Sequence, residues 1–240
     1  MEITKREIIF STVIIAIMIG IGIPIGNAIT GKVLNNAMKV TSSTKVTDPE
    51  KFSYIERTNV GDFLAEGKLI ADDPVSIRDI PGNFLMIRKV KEVYTMHTRT
   101  VVVSNGKTTT TRIETYWTWD EKDRWNYSSN RVRFLSKTFN LSSIKYYSRL
   151  DYLKTINESS HVRYVYRVHP AVVEGVMTGV ADNKSYNDLE FTRNATIDKI
   201  VDSAEKDINR APIIFWVLWM ILTAGLVVLF YYIENDWLED

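Results

Sequence analysis

Two uncharged apolar runs, one toward each end, restrict what this chain can fold into more than any other feature. The first spans Ile8 to Ile25 (IIFSTVIIAIMIGIGIPI) and the second Pro212 to Ile233 (PIIFWVLWMILTAGLVVLFYYI). At about 1.5 Å rise per residue, each approaches the ~20 residues that carry a helix across a bilayer. Soluble cores rarely bury helices this uniformly apolar, and here two bracket a long polar stretch. The sequence therefore predicts a two-pass membrane protein.

A cleaved leader is the alternative reading of the first run. Lys5 and Arg6 resemble a charged n-region and a small residue, Ala28, follows at the far end. Glu2 and Glu7 cancel those charges, however, and the apolar stretch exceeds the roughly 7–15 residues of a signal core. An anchor fits better.

The formal net charge of +1 hides an uneven distribution. Residues 1–27 are neutral, the tail beyond Pro212 carries −4, and the middle therefore holds +5. Lys32, Lys39 and Lys45 follow the first run, and Lys199, Lys206 and Arg210 precede the second. By the positive-inside rule this places the central domain in the cytoplasm and both termini outside. The chain has no cysteine, which excludes disulfides, thiolate zinc sites and cysteine nucleophiles. Sequons such as those at Asn126, Asn140, Asn157 and Asn194 matter only if the domain faces a glycosylating lumen.

Between the runs, the strongest local signal is a long β-hairpin. Asn105-Gly106 is a favoured two-residue turn, flanked by KVKEVYTMHTRTVVVS and KTTTTRIETYWTWD. Val93, Thr95, His97, Arg99 and Val101 alternate with Glu92, Tyr94, Met96, Thr98 and Thr100, the period of a strand. Further strands are expected at Asp62–Ile70, Phe84–Lys89, Arg131–Phe139 and His161–Val168, with turns at Asp72-Asp73-Pro74 and Pro81-Gly82-Asn83. Ile197, Ile200, Val201, Ala204 and Ile208 fall instead at helical spacing.

The predicted plan has five parts. Residues 1–27 form a tail and first membrane helix, 28–60 a helical stalk or linker, and 61–186 a β-rich sandwich or partial barrel. Residues 187–211 form an amphipathic stalk helix, and 212–240 the second membrane helix and acidic tail.

The stretch from Gly67 to Glu121 resembles the β-rich domain of GIDE-type membrane ubiquitin ligases and of LUMA-type transmembrane proteins. The shared outline is Gly67-Lys68-Leu69, the turn proline Pro74, Glu92-Val93-Tyr94 and the closing Tyr116–Asp120 strand. GIDE-type proteins also set this domain between two membrane helices. With no cysteine no RING domain can be built, so ligase activity does not carry over, and LUMA-type proteins have more membrane helices. In architecture alone, the chain is also similar to two-helix membrane effectors of bacterial anti-phage defence of the Hailong type. That resemblance implies a channel controlled by an oligonucleotide.

Little in the sequence supports catalysis. His97, His161 and His169 show no metal-ligand spacing, and no G-x-S-x-G, P-loop or G-x-G-x-x-G is present outside the apolar runs. No enzyme, metal or cofactor is expected. A ligand site has a better candidate. Arg124, Arg131, Arg133, Lys137, Lys145, Arg149, Lys154, Arg163 and Arg167 interleave with Trp125, Tyr127, Phe134, Phe139, Tyr146, Tyr147, Tyr152, Tyr164 and Tyr166. Cations neutralise phosphates and aromatic faces stack bases, so this segment is read as a site for an anionic nucleotide or oligonucleotide. The bland readings are a solvated basic sheet face or apposition to anionic lipid. In HVRYVYRV the cations and the tyrosines fall on opposite faces, which argues against a single mixed platform there.

In the first run, Gly20, Gly22, Pro24, Gly26 and Asn27 suit close helix packing and a pore mouth, Gly22 and Gly26 being a small-x-x-x-small pair. Trp216, Trp219, Tyr231, Tyr232 and Trp237 read as interfacial anchors. Two helices cannot enclose a water path, so a channel requires a homo-oligomer of three or more subunits in the bilayer. Two functions are expected from these readings. One is an anion-gated channel or membrane effector; the other is a membrane-anchored scaffold that recruits a protein partner.

Overall fold

The computed structural model describes residues 5–104, 109–146 and 148–239. The chain divides into two compact units: its two ends up to Thr44 and from Thr196, and the stretch Lys45–Ala195.

The first unit is a pair of long helices, α1 (Lys5–Ser42) and α3 (Ile197–Glu239). Thr196 caps α3 by accepting the Lys199 amide through its hydroxyl. Both helices contain a proline, Pro24 and Pro212, and both run through it. At 38 and 43 residues they are about 57 and 64 Å long, well beyond a bilayer core. The expected extension of the first run past Ala28 thus occurs, ending at Ser42. The helices pack antiparallel along a seam in which Ser11 meets Tyr231, Phe10 meets Phe230 and Met18 meets Trp219.

The seam bears on two expectations. Gly22 and Gly26 are buried, and a Cβ on them would lie 2.5 Å from Trp219 Nε1 and 2.8 Å from Phe215 Cε1. These glycines therefore seat aromatic rings of the same chain, the close helix packing expected of them. Gly20 meets nothing within 4 Å, and Pro24 and Asn27 are exposed. Trp219 and Tyr231 likewise turn inward, away from the interfacial role. The indole N–H donates to the Met18 carbonyl at 2.9 Å, and the Tyr231 hydroxyl accepts from Ser11 at 3.1 Å. An indole N–H in an apolar setting needs an acceptor, and the facing backbone supplies one. Trp237 lies outside the described side chains. Replacing Gly26 by Leu is expected to displace Phe215 and open the seam, read as a red shift of tryptophan emission in detergent. Unchanged emission would mean that the helices can pack without this contact.

The second unit is β-rich. Its elements are β1 (Thr44–Val46), α2 (Pro49–Thr58), β2 (Gly61–Ala71), β3 (Val75–Ile77), β4 (Ile80–Ser104), β5 (Thr109–Ser128), β6 (Arg131–Phe134) and β7 (Lys137–Asn140). There follow a 3₁₀ turn, β8 (Lys145–Tyr146), β9 (Asp151–Asn157), β10 (Val162–Pro170), β11 (Val172–Asp182) and β12 (Ser185–Arg193). One sheet runs β7-β6-β2-β11-β12-β8 with β1 beside β2, curving as a half-barrel; the other runs β3-β4-β10-β9 with β5 beside β4.

The main core lies on the first sheet and gathers Phe52, Phe63, Leu69, Leu85, Phe134, Met177 and Phe191. A smaller core holds Ile80, Ile87, Tyr166 and Val168 on the second. The Asp72-Asp73-Pro74 turn, expected from its residue types, is built as a clamp. The Asp73 carboxylate accepts from the Ser129 hydroxyl and from the Asn130 and Arg131 amides, which hold it well below the usual carboxylate range.

Three predicted boundaries move. The Arg131–Phe139 strand is instead two short strands joined through Leu135, whose φ of 51° is left-handed. Leu135 accepts that strain because its side chain packs on the main core. Residues 187–193 continue β12 and not a stalk helix, since Leu189 and Phe191 are buried at a period of two. The predicted linker before residue 61 holds β1 and α2, which belong to the β-rich unit. Asp48 caps α2 by accepting the Lys51 amide at 2.7 Å, Pro49 starts it, and Phe52 and Ile55 are buried.

Candidate functional site

β4 and β5 form a hairpin far longer than the sheet that carries it. β10 accompanies β4 only as far as Val93, with one more bond from the Tyr94 amide to the His161 carbonyl. Beyond that point β5 is the sole described partner of β4, out to the pair Ser104 and Thr109. The two-stranded arm projects about 34 Å at the usual rise per residue. The expected Asn105-Gly106 turn lies outside the described residues.

The arm's two faces differ in chemistry. On one, Tyr94 stacks on Trp117 at 5.2 Å and lies 5.1 Å from Trp119, whose ring carries the Arg163 guanidinium at 4.1 Å. Arg163 is fixed by Glu92 at 2.7 Å. Toward the tip the same face continues with Met96, cross-strand from Trp117, and with Ile113. These three are unusually open for large apolar side chains: Met96 is 54% exposed, Trp117 47% and Ile113 74%. On the other face, His97 bonds Asp120 at 2.8 Å and stacks on Tyr116 at 5.4 Å. Arg99 grips Glu114 through Nε at 3.1 Å and Nη2 at 2.9 Å. The Thr118 hydroxyl, and after it His97, hold the Asp120 carboxylate below its ordinary range. Arg99 and then Arg112 do the same for Glu114.

A two-stranded ribbon gains stability from cross-strand pairs, because it has no sheet beneath it. The polar face shows such pairs closed upon each other. The aromatic face is stacked at its base and left open toward the tip. That asymmetry marks the open face as the candidate contact surface. The hairpin was legible in the sequence. The exposure of one face was not, because period-two alternation does not say where the neighbouring strand ends.

The predicted anion-site cations do not assemble on one surface. Arg124 lies on β5, gripping Glu121 at 2.7 and 2.8 Å. Arg131 and Arg133 lie on β6, Arg133 being 3.6 Å from Asp72. Lys137 on β7 bonds Glu56 at 2.6 Å, Lys145 is on β8, Arg149 is in the following loop, and Arg163 and Arg167 are on β10. Two sheets separate them, and Arg124, Arg133, Lys137 and Arg163 each have a carboxylate partner. Tyr147 lies outside the described residues.

On the face of the second sheet opposite Arg163, Lys89 is ringed by aromatics. Its ammonium sits 4.5 Å from the Tyr164 ring centre, 5.7 Å from Tyr166 and 5.9 Å from Trp125, and bonds Asp79 at 2.6 Å. Tyr166 also donates to Asp79, at 2.7 Å, and burial pushes its hydroxyl up to about 12. The cage is filled by the protein's own lysine. His169 is buried, donating from Nε2 to the Ser148 carbonyl at 3.3 Å and facing Arg193. Burial, reinforced by that guanidinium, lowers its pKa. Among the described residues no cluster of three or more histidines and acids is placed to hold a metal.

No family model, curated protein or solved structure matches this chain.

Proposed function

We propose that this protein is a membrane-anchored scaffold: the α1/α3 hairpin spans the bilayer twice, and the projecting arm of the β-rich unit recruits a protein partner through its aromatic face. The observation that carries the reading is the open Met96–Trp117–Ile113 surface on a ribbon that, among the described residues, has no third strand. Tryptophan and methionine are favoured at the centres of protein interfaces, where a flat aromatic gives much contact area for little ordering entropy.

The anchor is supported by the helices' outer surfaces. Ile9, Ile17 and Ile23 on α1, and Ile213, Leu218, Ile221 and Val228 on α3, are all about half exposed or more. At roughly 25 cal/mol per Å² of apolar surface, such a coat favours lipid over water. Several polar groups of the two spans are bonded within or between the helices, as hydrocarbon favours: Thr12 to the Ile8 carbonyl, Thr223 to the Trp219 carbonyl, Ser11 to Tyr231. The basic residues next to the spans favour a cytoplasmic β-rich unit. This arrangement also agrees with the resemblance to GIDE-type proteins. Of the residues a channel would use, Gly22 and Gly26 are occupied by the chain's own rings, while Gly20, Pro24 and Asn27 stay open.

The test is photo-cross-linking in native membranes, with a benzophenone amino acid at Trp117 or Met96 and, as control, at exposed Val172 on β11. A discrete adduct from the arm and none from Val172 is expected. In a chain labelled at Met96, Trp117→Ala should lower its yield roughly 30-fold, the loss of about 2 kcal/mol that marks an interface hot spot. Equal labelling from all sites, or steady conductance by the purified protein in planar bilayers, would move the assignment away from a scaffold.

A further inference from the structure

The arm also has an edge, and its chemistry is separate from that of its face. β5 lies at the end of its sheet, paired with β4 on one side only. An unpaired strand edge is a row of free N–H and C=O groups, and native sheets blunt it with proline, lysine or a bulge. Between Thr109 and Trp119, β5 has no proline, glycine or lysine, and its register against β4 shifts nearer the sheet, between Lys91 and Glu92. The charges in that stretch are Arg112 and Glu114, which flank Ile113.

A strand reading cation, apolar, anion about a central residue is complementary to itself when reversed. We propose that two copies of this chain join edge to edge through β5, antiparallel, about a two-fold axis at Ile113. Ile113 then faces Ile113 of the second copy, Arg112 faces Glu114, Glu114 faces Arg112, and Thr111 faces Thr115. The two ribbons become one four-stranded sheet.

Charge selects this register over its neighbours. Sliding by two residues one way opposes Arg112 to Arg112, and the other way Glu114 to Glu114. Sliding by one turns each apolar face against a polar one. Glu114 is prepared for the exchange. Arg99 holds its Oε2 from the neighbouring strand, while Oε1 faces Arg112 of its own chain. That oxygen can accept from the second copy's Arg112 without releasing Arg99. On the opposite face the pairing brings the two Ile113 side chains together, covering the most exposed large apolar residue among those described. The inference concerns the edge; of the face proposed for a protein partner it covers Ile113 and leaves Met96 and Trp117 open.

The natural chain has no cysteine, so Ile113→Cys carries a single thiol. Across the proposed axis the two Cα atoms lie about 4.5–5.5 Å apart, within disulfide reach. At Thr111 the copies are offset by four residues, about 13 Å, which is beyond it. The full-length protein in nanodiscs, oxidised with copper phenanthroline, should give a disulfide-linked dimer for Ile113→Cys. Thr111→Cys and Thr115→Cys should each stay monomeric alone and cross-link when mixed. Adding Arg112→Glu, which opposes carboxylates at two symmetric places, should lower Ile113→Cys cross-linking about tenfold. A monomeric Ile113→Cys, or equal cross-linking of all three single variants, would overturn the proposal.

Discussion

Replacing Phe52 by alanine is expected to remove about 3–5 kcal/mol from the stability of the β-rich unit, the range for emptying a buried phenylalanine site. Phe52 is fully buried and lies at the centre of an aromatic cluster. It stacks on Tyr186 at 4.6 Å with planes 9° apart, and meets Phe63, Phe134 and Phe139 edge-on at 5.7, 5.6 and 6.4 Å. Tyr186 also donates its hydroxyl to the Phe52 backbone carbonyl, so α2 is held to β12 by a ring and a hydrogen bond together. Removing the ring leaves a cavity walled by side chains from four strands, which cannot collapse without moving the sheet. Against a typical total of about 5–15 kcal/mol, this is a large share. Thermal unfolding of the full chain in detergent should show a midpoint roughly 10 °C lower, or more, for the β-rich unit. A loss below about 1 kcal/mol would mean that α2 docks loosely and is not part of the core.

Gly175→Ala is expected to be at least as damaging, for the opposite reason. Gly175 on β11 pairs with Gly67 on β2 and Arg193 on β12. A Cβ there would fall 2.2 Å from the Thr192 carbonyl oxygen, 2.8 Å from Phe191 Cζ and 3.1 Å from Arg193 Cα. Two of these are backbone atoms, so no side-chain rotation relieves the clash. Relief requires β11 and β12 to part, which breaks the ladder that buries Leu189 and Phe191. The cost should reach or pass the upper end of the roughly 1–3 kcal/mol seen for overpacked cores. Gly225→Ala is the matched control, because nothing lies within 4 Å of that position. Equal unfolding midpoints for the two variants would show that the sheet can absorb the methyl group.

Both sites bear on how much could be read in advance. The segment holding Phe52 was expected to be stalk or linker, although Asp48-Pro49 before Phe52 and Ile55 is a capped helix start with two apolar residues at helical spacing. The signal was present and short. Gly175 offered no signal, since a glycine in a strand does not reveal which carbonyl will approach it. The cation-rich segment shows the same limit of local reading. Its composition is basic, yet Glu56, Asp72 and Glu92, which answer Lys137, Arg133 and Arg163, stand about 60–80 residues away and come from other elements.

By itself the sequence determined what depends on local pattern: two helices too apolar to be comfortable in water, a β-rich middle, and a long alternating hairpin. Each follows from composition or period within a window of some twenty residues, because solvation and backbone geometry act there directly. The tertiary structure decided who meets whom. It turned Gly22 and Gly26 into seats for Trp219 and Phe215, drew α2 into the core, paired the cations with distant acids, and ended β10 early enough to leave one face of the arm open. Those outcomes depend on contacts between residues far apart in the chain, whose energies exist only once the fold has brought them together.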